Sequence, residues 1–298
     1  MPEASHTMIA LAKAHDGKAN MTRKTTQAML IPLTALLVGT SSTASLLAAE
    51  RFLPSGLAYV WWRFGLPEFE DFQIDITIHD DLGTKPGMYF QMYQGQIGDV
   101  GFYFGLQTDV FHPEKGGQGK GLIFSRWKTR DLADARSASD GWVQSAGYEG
   151  DFIGVRKKYD WTNHKYRLRL TALDEDDRGV WYGFLILDYD KNTEGYAGSI
   201  RFPKEAGRRP KIRDGGGTWL EVYSGARKAS DVPHWHVSLD GAYVNQRTVK
   251  AKQAVSDYSW VPNTDIYFDK ETNAVHILVG KDVNRQHPKG RLFSDRDK

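Results

Sequence analysis

The sequence contains no cysteine, which excludes disulfide bonds, thiolate metal sites and a thiol nucleophile. A chain of 298 residues without such cross-links depends on buried apolar surface for its stability. Aromatic residues make up 12% of the chain and supply much of that surface. If the chain is exported, the lack of cysteine fits a bacterial compartment better than a eukaryotic secretory one.

An excess of charge of one sign is also missing. The chain has 39 Lys and Arg residues against 37 Asp and Glu residues, a formal net charge of +2. Residues 1–49 hold four basic and two acidic side chains, so the remaining part is formally neutral. A neutral chain without a run of Lys and Arg is a poor partner for nucleic acid, and we predict none.

Long hydrophobic runs are scarce, and the main one lies near the N-terminus. Arg23 and Lys24 precede an apolar stretch over residues 28–38, and small residues follow, which is the order found in a signal peptide. A membrane anchor needs about 20 unbroken apolar residues, and Pro32 interrupts this stretch. The pattern predicts an upstream extension (1–20), a signal peptide (21–49), no integral membrane span after processing, and a secreted or periplasmic protein.

Helical periodicity is almost absent after Glu50. Short runs of β-branched and aromatic residues recur instead, with Gly, Asp and Asn turns between them. About thirteen such runs without crossover helices predict an all-β fold. We expect one antiparallel β-sandwich over residues 50–298, of jelly-roll or lectin-like type.

Two of the predicted strands have one apolar side and one side that carries rings and amides. In residues 98–109 the apolar positions are Val100, Phe102, Phe104 and Leu106. The alternate positions carry Tyr103 and Gln107 beside glycines, and the neighbouring run places Tyr89, Gln91 and Tyr93 outward. Flat rings and amides without bulky neighbours suit a sugar chain. The alternative is a covered face on which the tyrosines are packing groups.

Four motifs follow along the chain: YFGLQT (103–108), GKGLIFSRWKTRD (119–131), EGDF (149–152) and YDW (159–161). They resemble a family of exported, mostly bacterial domains that has no assigned function, over roughly residues 57–240. The resemblance implies a secreted β-sandwich that is sometimes found in polysaccharide-processing contexts. It implies no agreed catalytic residues.

Charged residues in these motifs are candidates for binding or catalysis. Arg126, Trp127 and Arg156 are predicted ligand contacts, although the two arginines could instead form internal ion pairs with nearby carboxylates. Glu149 and Asp151 lie two residues apart, so on a strand they point the same way. A carboxylate pair is what glycoside hydrolysis requires, but two acids on one strand are a weak signal for it.

His234 and His236 are the remaining weak catalytic candidates. Alternation places both on one face, within reach of a shared metal or a substrate proton. In a polysaccharide lyase one of them would pair with Tyr103 or Tyr223, while the alternative is a solvent-facing pair. The sequence shows no third ligand, so it predicts no metal and no cofactor.

These observations favour a secreted protein that recognises a polysaccharide or oligosaccharide through an aromatic and amide-lined sheet face. Two alternatives stay open. One is a glycan-cleaving enzyme, either a glycoside hydrolase or a polysaccharide lyase, on the same scaffold. The other is a surface protein with a structural or protein-binding role. Whether the protein is an enzyme is undecided at this level, because the fold does not determine the function.

Overall fold

The computed structural model describes residues 56–147 and 150–295. The predicted signal peptide and Glu149 therefore lie outside the described residues. Within the two described ranges, no helix has the length and apolar character needed to cross a membrane.

The described chain is almost entirely β-structure. Its two 3₁₀ helices are Leu132–Asp134 and Ala229–Asp231. The strands are β1 (Gly56–Arg63), β2 (Glu68–Phe69), β3 (Asp71–Ile78), β4 (Gly87–Ile97), β5 (Val100–Gln107), β6 (Phe111–His112), β7 (Gly116–Gly117), β8 (Gly121–Trp127), β9 (Ala135–Ser137), β10 (Gly141–Ala146), β11 (Phe152–Lys158), β12 (Lys165–Glu175), β13 (Gly179–Asp188), β14 (Thr193–Pro203), β15 (Ile212–Arg213), β16 (Gly217–Ser224), β17 (Trp235–Val244), β18 (Val249–Lys250), β19 (Gln253–Tyr258), β20 (Thr264–Asp269), β21 (Ala274–Val279) and β22 (Gly290–Ser294).

Twenty of these strands form two large antiparallel sheets, and β6 and β7 form a separate two-stranded sheet. Sheet A has the order β10-β11-β8-β5-β4-β16-β1-β19-β22, with β2 and β15 attached at its side. Sheet B has the order β20-β21-β17-β3-β12-β13-β14-β9, with β18 beside β17. The predicted antiparallel, all-β sandwich is confirmed.

The core lies between the two sheets and follows from strand alternation. Phe102 and Phe104 of β5 are fully buried there, whereas Tyr103 between them is half-buried on the other side of sheet A. In sheet B, Trp235 and Val237 of β17 point into the same core. Each sheet therefore has one inner face and one outer face, and the two outer faces lie on opposite sides of the sandwich.

A β-bulge in β4 changes the direction of one predicted ligand contact. Gln91 pairs with Gly105, but the next paired residue on β4 is Tyr93, so Met92 is the extra residue. The side chain of Tyr93 therefore enters the core, where it is 0% exposed. The prediction that Tyr93 points outward together with Gln91 is wrong, because alternation holds only while the register is regular.

The hydroxyl of Tyr93 is fully used within the protein. It donates a hydrogen bond to the carbonyl oxygen of Arg213 (3.1 Å) and accepts one from the N–H of Gly216 (2.9 Å). Burial raises the pKa of Tyr93. Tyr93 is a packing residue that also fixes the loop before β16.

Arg126 lies on the inner side of sheet A and is part of a buried ion network. Its Nη2 donates to Oδ2 of Asp134 at 2.6 Å, and the Nε of Arg201 donates to Oδ1 of the same carboxylate at 2.9 Å. Arg201 also pairs with Asp176 at 2.7 Å. Burial lowers the pKa of Arg126 to about 10, so it stays charged at neutral pH. Arg126 therefore forms an internal ion pair, which is the predicted alternative to ligand binding. It is not a candidate ligand contact.

Candidate functional site

The outer face of sheet A carries aromatic, amide and acidic side chains from five adjacent strands. We call this set the aromatic face. Its members lie on β8, β5, β4, β16 and β1, in the order Trp127; Tyr103 and Gln107; Tyr89 and Gln91; Trp219 and Glu221; Tyr59 and Trp61. All of them alternate with core residues on their own strands, which is why they share one side of the sheet.

The rings of the aromatic face form two groups. Tyr103 meets Tyr89 edge-on at a centroid distance of 5.2 Å and Trp127 at 5.0 Å. In the second group, Trp219 meets Tyr59 edge-on at 5.1 Å and Trp61 at 5.7 Å. Tyr89 is buried, whereas the other five rings are half-buried. The face therefore offers two partly accessible ring groups, one on β8, β5 and β4 and the other on β16 and β1.

Two buried polar atoms, Oε1 of Gln91 and Nε1 of Trp219, lie where β4 pairs with β16. Gln91 and Trp219 are directly opposite each other in the pairing of β4 with β16. Within the described part of the chain, neither Oε1 of Gln91 nor Nε1 of Trp219 has a hydrogen-bond partner, and both atoms are buried. A buried polar group without a partner costs about 1–3 kcal/mol. These two atoms, an acceptor and a donor on opposing residues, are groups whose missing hydrogen bonds a hydroxyl-bearing ligand could supply if the side chains turned outward.

Gly105 allows β5 to approach β4 closely. It occupies the position between Tyr103 and Gln107 and pairs with Gln91. A Cβ atom at Gly105 would overlap the carbonyl oxygen of Phe90, because the bulged backbone of β4 comes close here. Glycine is therefore required by the packing at this buried position.

Acidic groups lie at the β1 end of the aromatic face. The pKa of Tyr59 is raised, first by burial and then by the negative charges of Glu221 and Asp257.

At the other end of the sheet, Arg156 of β11 is buried and donates to Oγ of Ser125 (3.0 Å) and to a main-chain carbonyl oxygen. Arg156 is thus on the outer side of sheet A, but its donors are directed to the protein.

The predicted contacts Tyr89, Gln91, Tyr103, Gln107 and Trp127 come together on one face. Sequence reasoning missed the contributions of β1 and β16 to it. The sequence predicts both strands and the alternation of these residues with apolar ones. It does not predict that β16 lies beside β4.

The predicted carboxylate pair is not brought together within the described residues. Asp151 is exposed in a bend just before β11, and Glu149 lies outside the described residues. The carboxylates that do lie on the outer side of sheet A are Glu221 and Asp257, on β16 and β19.

The predicted His–Tyr pair does not form. His236 lies on the outer face of sheet B, because it alternates with Trp235 of the core, whereas Tyr103 and Tyr223 belong to strands of sheet A. His234 precedes β17, and its Nε2 lies 3.6 Å from a carboxylate oxygen of Asp80. The core of the sandwich separates both histidines from the aromatic face.

Three histidines meet on the outer face of sheet B, and we call them the histidine cluster: His79, His236 and His276. One ring nitrogen from each lies within 4.8 Å of the other two. The Nε2 of His236 is 2.9 Å from the Nδ1 of His276, and the ring of His79 stacks on that of His236 at 4.0 Å. Among the described residues, this cluster is the group best suited to hold a metal ion.

Burial keeps His236 and His276 of the histidine cluster uncharged at neutral pH. Desolvation lowers the pKa of His236 to about 4, and the neighbouring rings of His79 and His276 act in the same direction. The pKa of His276 is also lowered, mainly by burial. Neutral imidazoles at neutral pH can act as proton acceptors or as metal ligands.

Acidification should destabilise the metal-free protein through His236. Its pKa is about 4 in the folded state and about 6.5 in an unfolded chain. Its contribution to stability is therefore complete above pH 6.5 and is lost as the pH falls toward 4. For this half-buried group we expect a loss of about 1 kcal/mol between pH 7 and pH 5.

Urea unfolding in the presence of a chelator at the two pH values measures this loss. The variant His236→Gln should lose that part of the pH dependence. An unchanged slope in this variant would show that His236 does not titrate differently on folding.

Comparisons with known proteins give a limited result. No protein-family model matches the chain, and no curated protein matches it, so the resemblance to exported bacterial domains stays a prediction from its motifs. Among solved structures, scytalido-glutamic peptidase with a transition-state analogue inhibitor has a TM-score of 0.40 and 9% identity, covering 75% of this chain and 97% of that chain. A member of the Eqolisin family of peptidases in a complex with the tripeptide Ala-Ile-His has a TM-score of 0.36 and 9% identity, covering 76% and 98%. We infer no activity from similarities of this size.

Proposed function

We propose that this protein binds a polysaccharide or oligosaccharide on the aromatic face. The observation that carries the proposal is the pairing of Gln91 with Trp219. Among the described residues, the buried Oε1 of Gln91 and Nε1 of Trp219 have no hydrogen-bond partner, and both residues belong to the face that carries the two ring groups.

The chemistry of a sugar fits this arrangement. A pyranose has weakly polar C–H faces that pack on aromatic rings, and each hydroxyl can both donate and accept a hydrogen bond. Both atoms are buried in the unliganded protein, so the side chains of Gln91 and Trp219 would turn outward for Oε1 to accept such a bond and Nε1 to donate one. The two ring groups, one around Tyr103 and the other around Tyr59, would contact sugar units on either side.

The charges of the face support a neutral glycan. Glu221 and Asp257 place negative charge near Tyr59, which disfavours a uronate or sulfate group there. Arg156 is on β11, five strands from β1 in sheet A, so it is too distant to offset that charge. We therefore propose an uncharged sugar chain as the ligand class.

We also propose that the protein acts outside the cytoplasm. A polysaccharide-binding protein meets its ligand at the cell surface, in the periplasm or in the medium, and residues 21–49 have the pattern of a signal peptide. N-terminal sequencing of the protein recovered from the medium or the periplasm tests this part.

The variant Trp219→Phe directly tests the role of the Nε1–H of Trp219, which is unpartnered among the described residues. It keeps an aromatic ring but removes Nε1–H, which has no protein partner. We expect the affinity for a neutral glycan to fall by about 1 kcal/mol, or about fivefold in Kd, while the stability of the unliganded protein does not fall. A glycan array identifies the ligand, and isothermal titration calorimetry measures the change.

Two further variants complete this test. Tyr103→Ala should weaken binding by about 1–3 kcal/mol if its ring stacks on a sugar, by analogy with base stacking. Phe111→Ala removes a ring that is 53% exposed but lies on β6, outside the aromatic face, and should leave the affinity unchanged. No retention of any glycan by the wild-type protein would refute the proposal.

Glu221 and Asp257 favour cleavage of the bound glycan as a second candidate function. Both carboxylates act on Tyr59, and glycoside hydrolysis generally uses two such groups. Release of reducing ends, measured in the same samples as binding, separates the two functions. If neither binding nor release is found, a structural or protein-binding role becomes the better description.

A further inference from the structure

We propose that His79, His236 and His276 form a binding site for a divalent transition-metal ion such as Zn²⁺. The site lies on the outer face of sheet B, on the opposite side of the sandwich from the aromatic face. It does not depend on the proposed glycan binding.

Ring nitrogens of the three histidines are near enough to share one ion. Zn–N distances of about 2.0–2.1 Å in a tetrahedral site place the nitrogens about 3.3 Å apart. The candidate atoms of the cluster all lie within 4.8 Å of one another, and His236 Nε2 and His276 Nδ1 are 2.9 Å apart. The ring of His79 is stacked on that of His236 at an interplanar angle of 16°, so it would turn out of this stack to direct a nitrogen at the same ion. The ion would take the place of the proton between His236 Nε2 and His276 Nδ1.

The sheet backbone positions these rings. His236 and His276 are on the adjacent strands β17 and β21, where His276 pairs with Ser238. His79 directly follows β3, on the other side of β17, and its backbone N–H donates to the carbonyl oxygen of His236 at 3.0 Å. Two adjacent strands and the residue that follows a third thus supply one ligand each, and ligands fixed on strands, here His236 and His276, hold a metal geometry more precisely than ligands on loops.

The type of donor indicates which ions would bind. Three imidazoles without a carboxylate among the ligands suit Zn²⁺, Cu²⁺ or Ni²⁺, whereas Ca²⁺ and Mg²⁺ prefer oxygen ligands. The side chain of His79 is exposed, so the site is accessible from solvent and a water or an external group can complete the coordination.

The carboxylate of Asp269 accounts for an otherwise unexplained atom of His276. The Nε2 of His276 is buried and has no hydrogen-bond partner within the described chain, and Oδ2 of Asp269 lies 3.9 Å from it. If Nδ1 of His276 binds the ion, Nε2 carries the proton and faces this carboxylate. Metal-bound histidines usually donate their second N–H to a carboxylate or carbonyl group in this way.

Titration of the full chain with Co²⁺ and then Zn²⁺ tests the proposal. The protein carries no affinity tag and is first freed of metal with a chelator. We expect one Co²⁺ ion per chain, with the intense visible absorption of a tetrahedral site, and its displacement by one Zn²⁺ ion. His79→Ala and His276→Ala should each lower the affinity by more than about 100-fold.

Matched variants separate this site from adventitious binding. His112→Ala removes a histidine of β6, outside the cluster, and should leave the affinity unchanged. Asp269→Asn should weaken binding about 10- to 100-fold. Because His79 is exposed, His79→Ala should fold normally, and Zn²⁺ should raise the Tm of the wild-type protein but not that of this variant. No bound ion, or binding that is unchanged in both cluster variants, would overturn the proposal.

Discussion

Asp134→Asn should lower the free energy of unfolding by about 3–5 kcal/mol. The carboxylate of Asp134 is the shared partner of Arg126 and Arg201, whose guanidinium groups lie 2.6 Å and 2.9 Å from its oxygens. All three residues are buried. Removing the negative charge would leave two positive charges in the protein interior without their common counterion. Urea unfolding of the wild-type protein and the variant at neutral pH measures the loss.

An exposed ion pair provides the control for this prediction. Arg136 and Asp174 are joined at 3.0 Å, but their side chains are 53% and 56% exposed. Asp174→Asn should therefore change the free energy of unfolding by less than about 1 kcal/mol. Equal losses in the two variants would show that burial does not strengthen the Asp134 network.

Tyr93→Ala should also destabilise the fold by about 3–5 kcal/mol, because it leaves a cavity among the core aromatics. The ring of Tyr93 lies 4.4 Å from that of Phe72, measured between centroids, and the residue is fully buried. Tyr93→Phe keeps the ring but leaves the N–H of Gly216 without its acceptor, at a cost of about 1–3 kcal/mol. Thermal and urea unfolding of the two variants separate the packing contribution from the hydrogen bonds.

Tyr103→Ala is the matched comparison, since Tyr103 is half-buried on the outer side of sheet A. It should cost clearly less stability than Tyr93→Ala, while only Tyr103→Ala should affect glycan binding in the protein that folds. If the two variants were equally unstable, Tyr103 would be a packing residue, and the aromatic face would lose one of its two ring groups.

The sequence predicted the fold class because burial governs strand patterning. In β5, Phe102 and Phe104 alternate with Tyr103 along a regular ladder, and the structure places each on the expected side. In β4 the same reasoning fails after Gln91. The bulge there depends on how the strand pairs with β5, and a single strand read by itself carries no sign of it.

The candidate sites were predictable only in part, because they depend on strand order. The pattern around His236 indicated a ring on the sheet surface, but His79 and His276 are distant in the sequence and meet it only because β3 and β21 flank β17. Trp219 is likewise brought beside Gln91 by the pairing of β16 with β4. Local patterns show which way a side chain points, but not which strand is its neighbour.

The position of β1 in sheet A affects how the chain reaches this fold. Its neighbours are β16 and β19, so the first strand described lacks one partner until residue 258 has been synthesised. Contacts between such distant segments form slowly, and an unpaired strand with an apolar side is open to aggregation in the meantime. A nascent chain halted on the ribosome before β19 should therefore need a holding chaperone, whereas a chain that includes β22 should fold as one unit after its release.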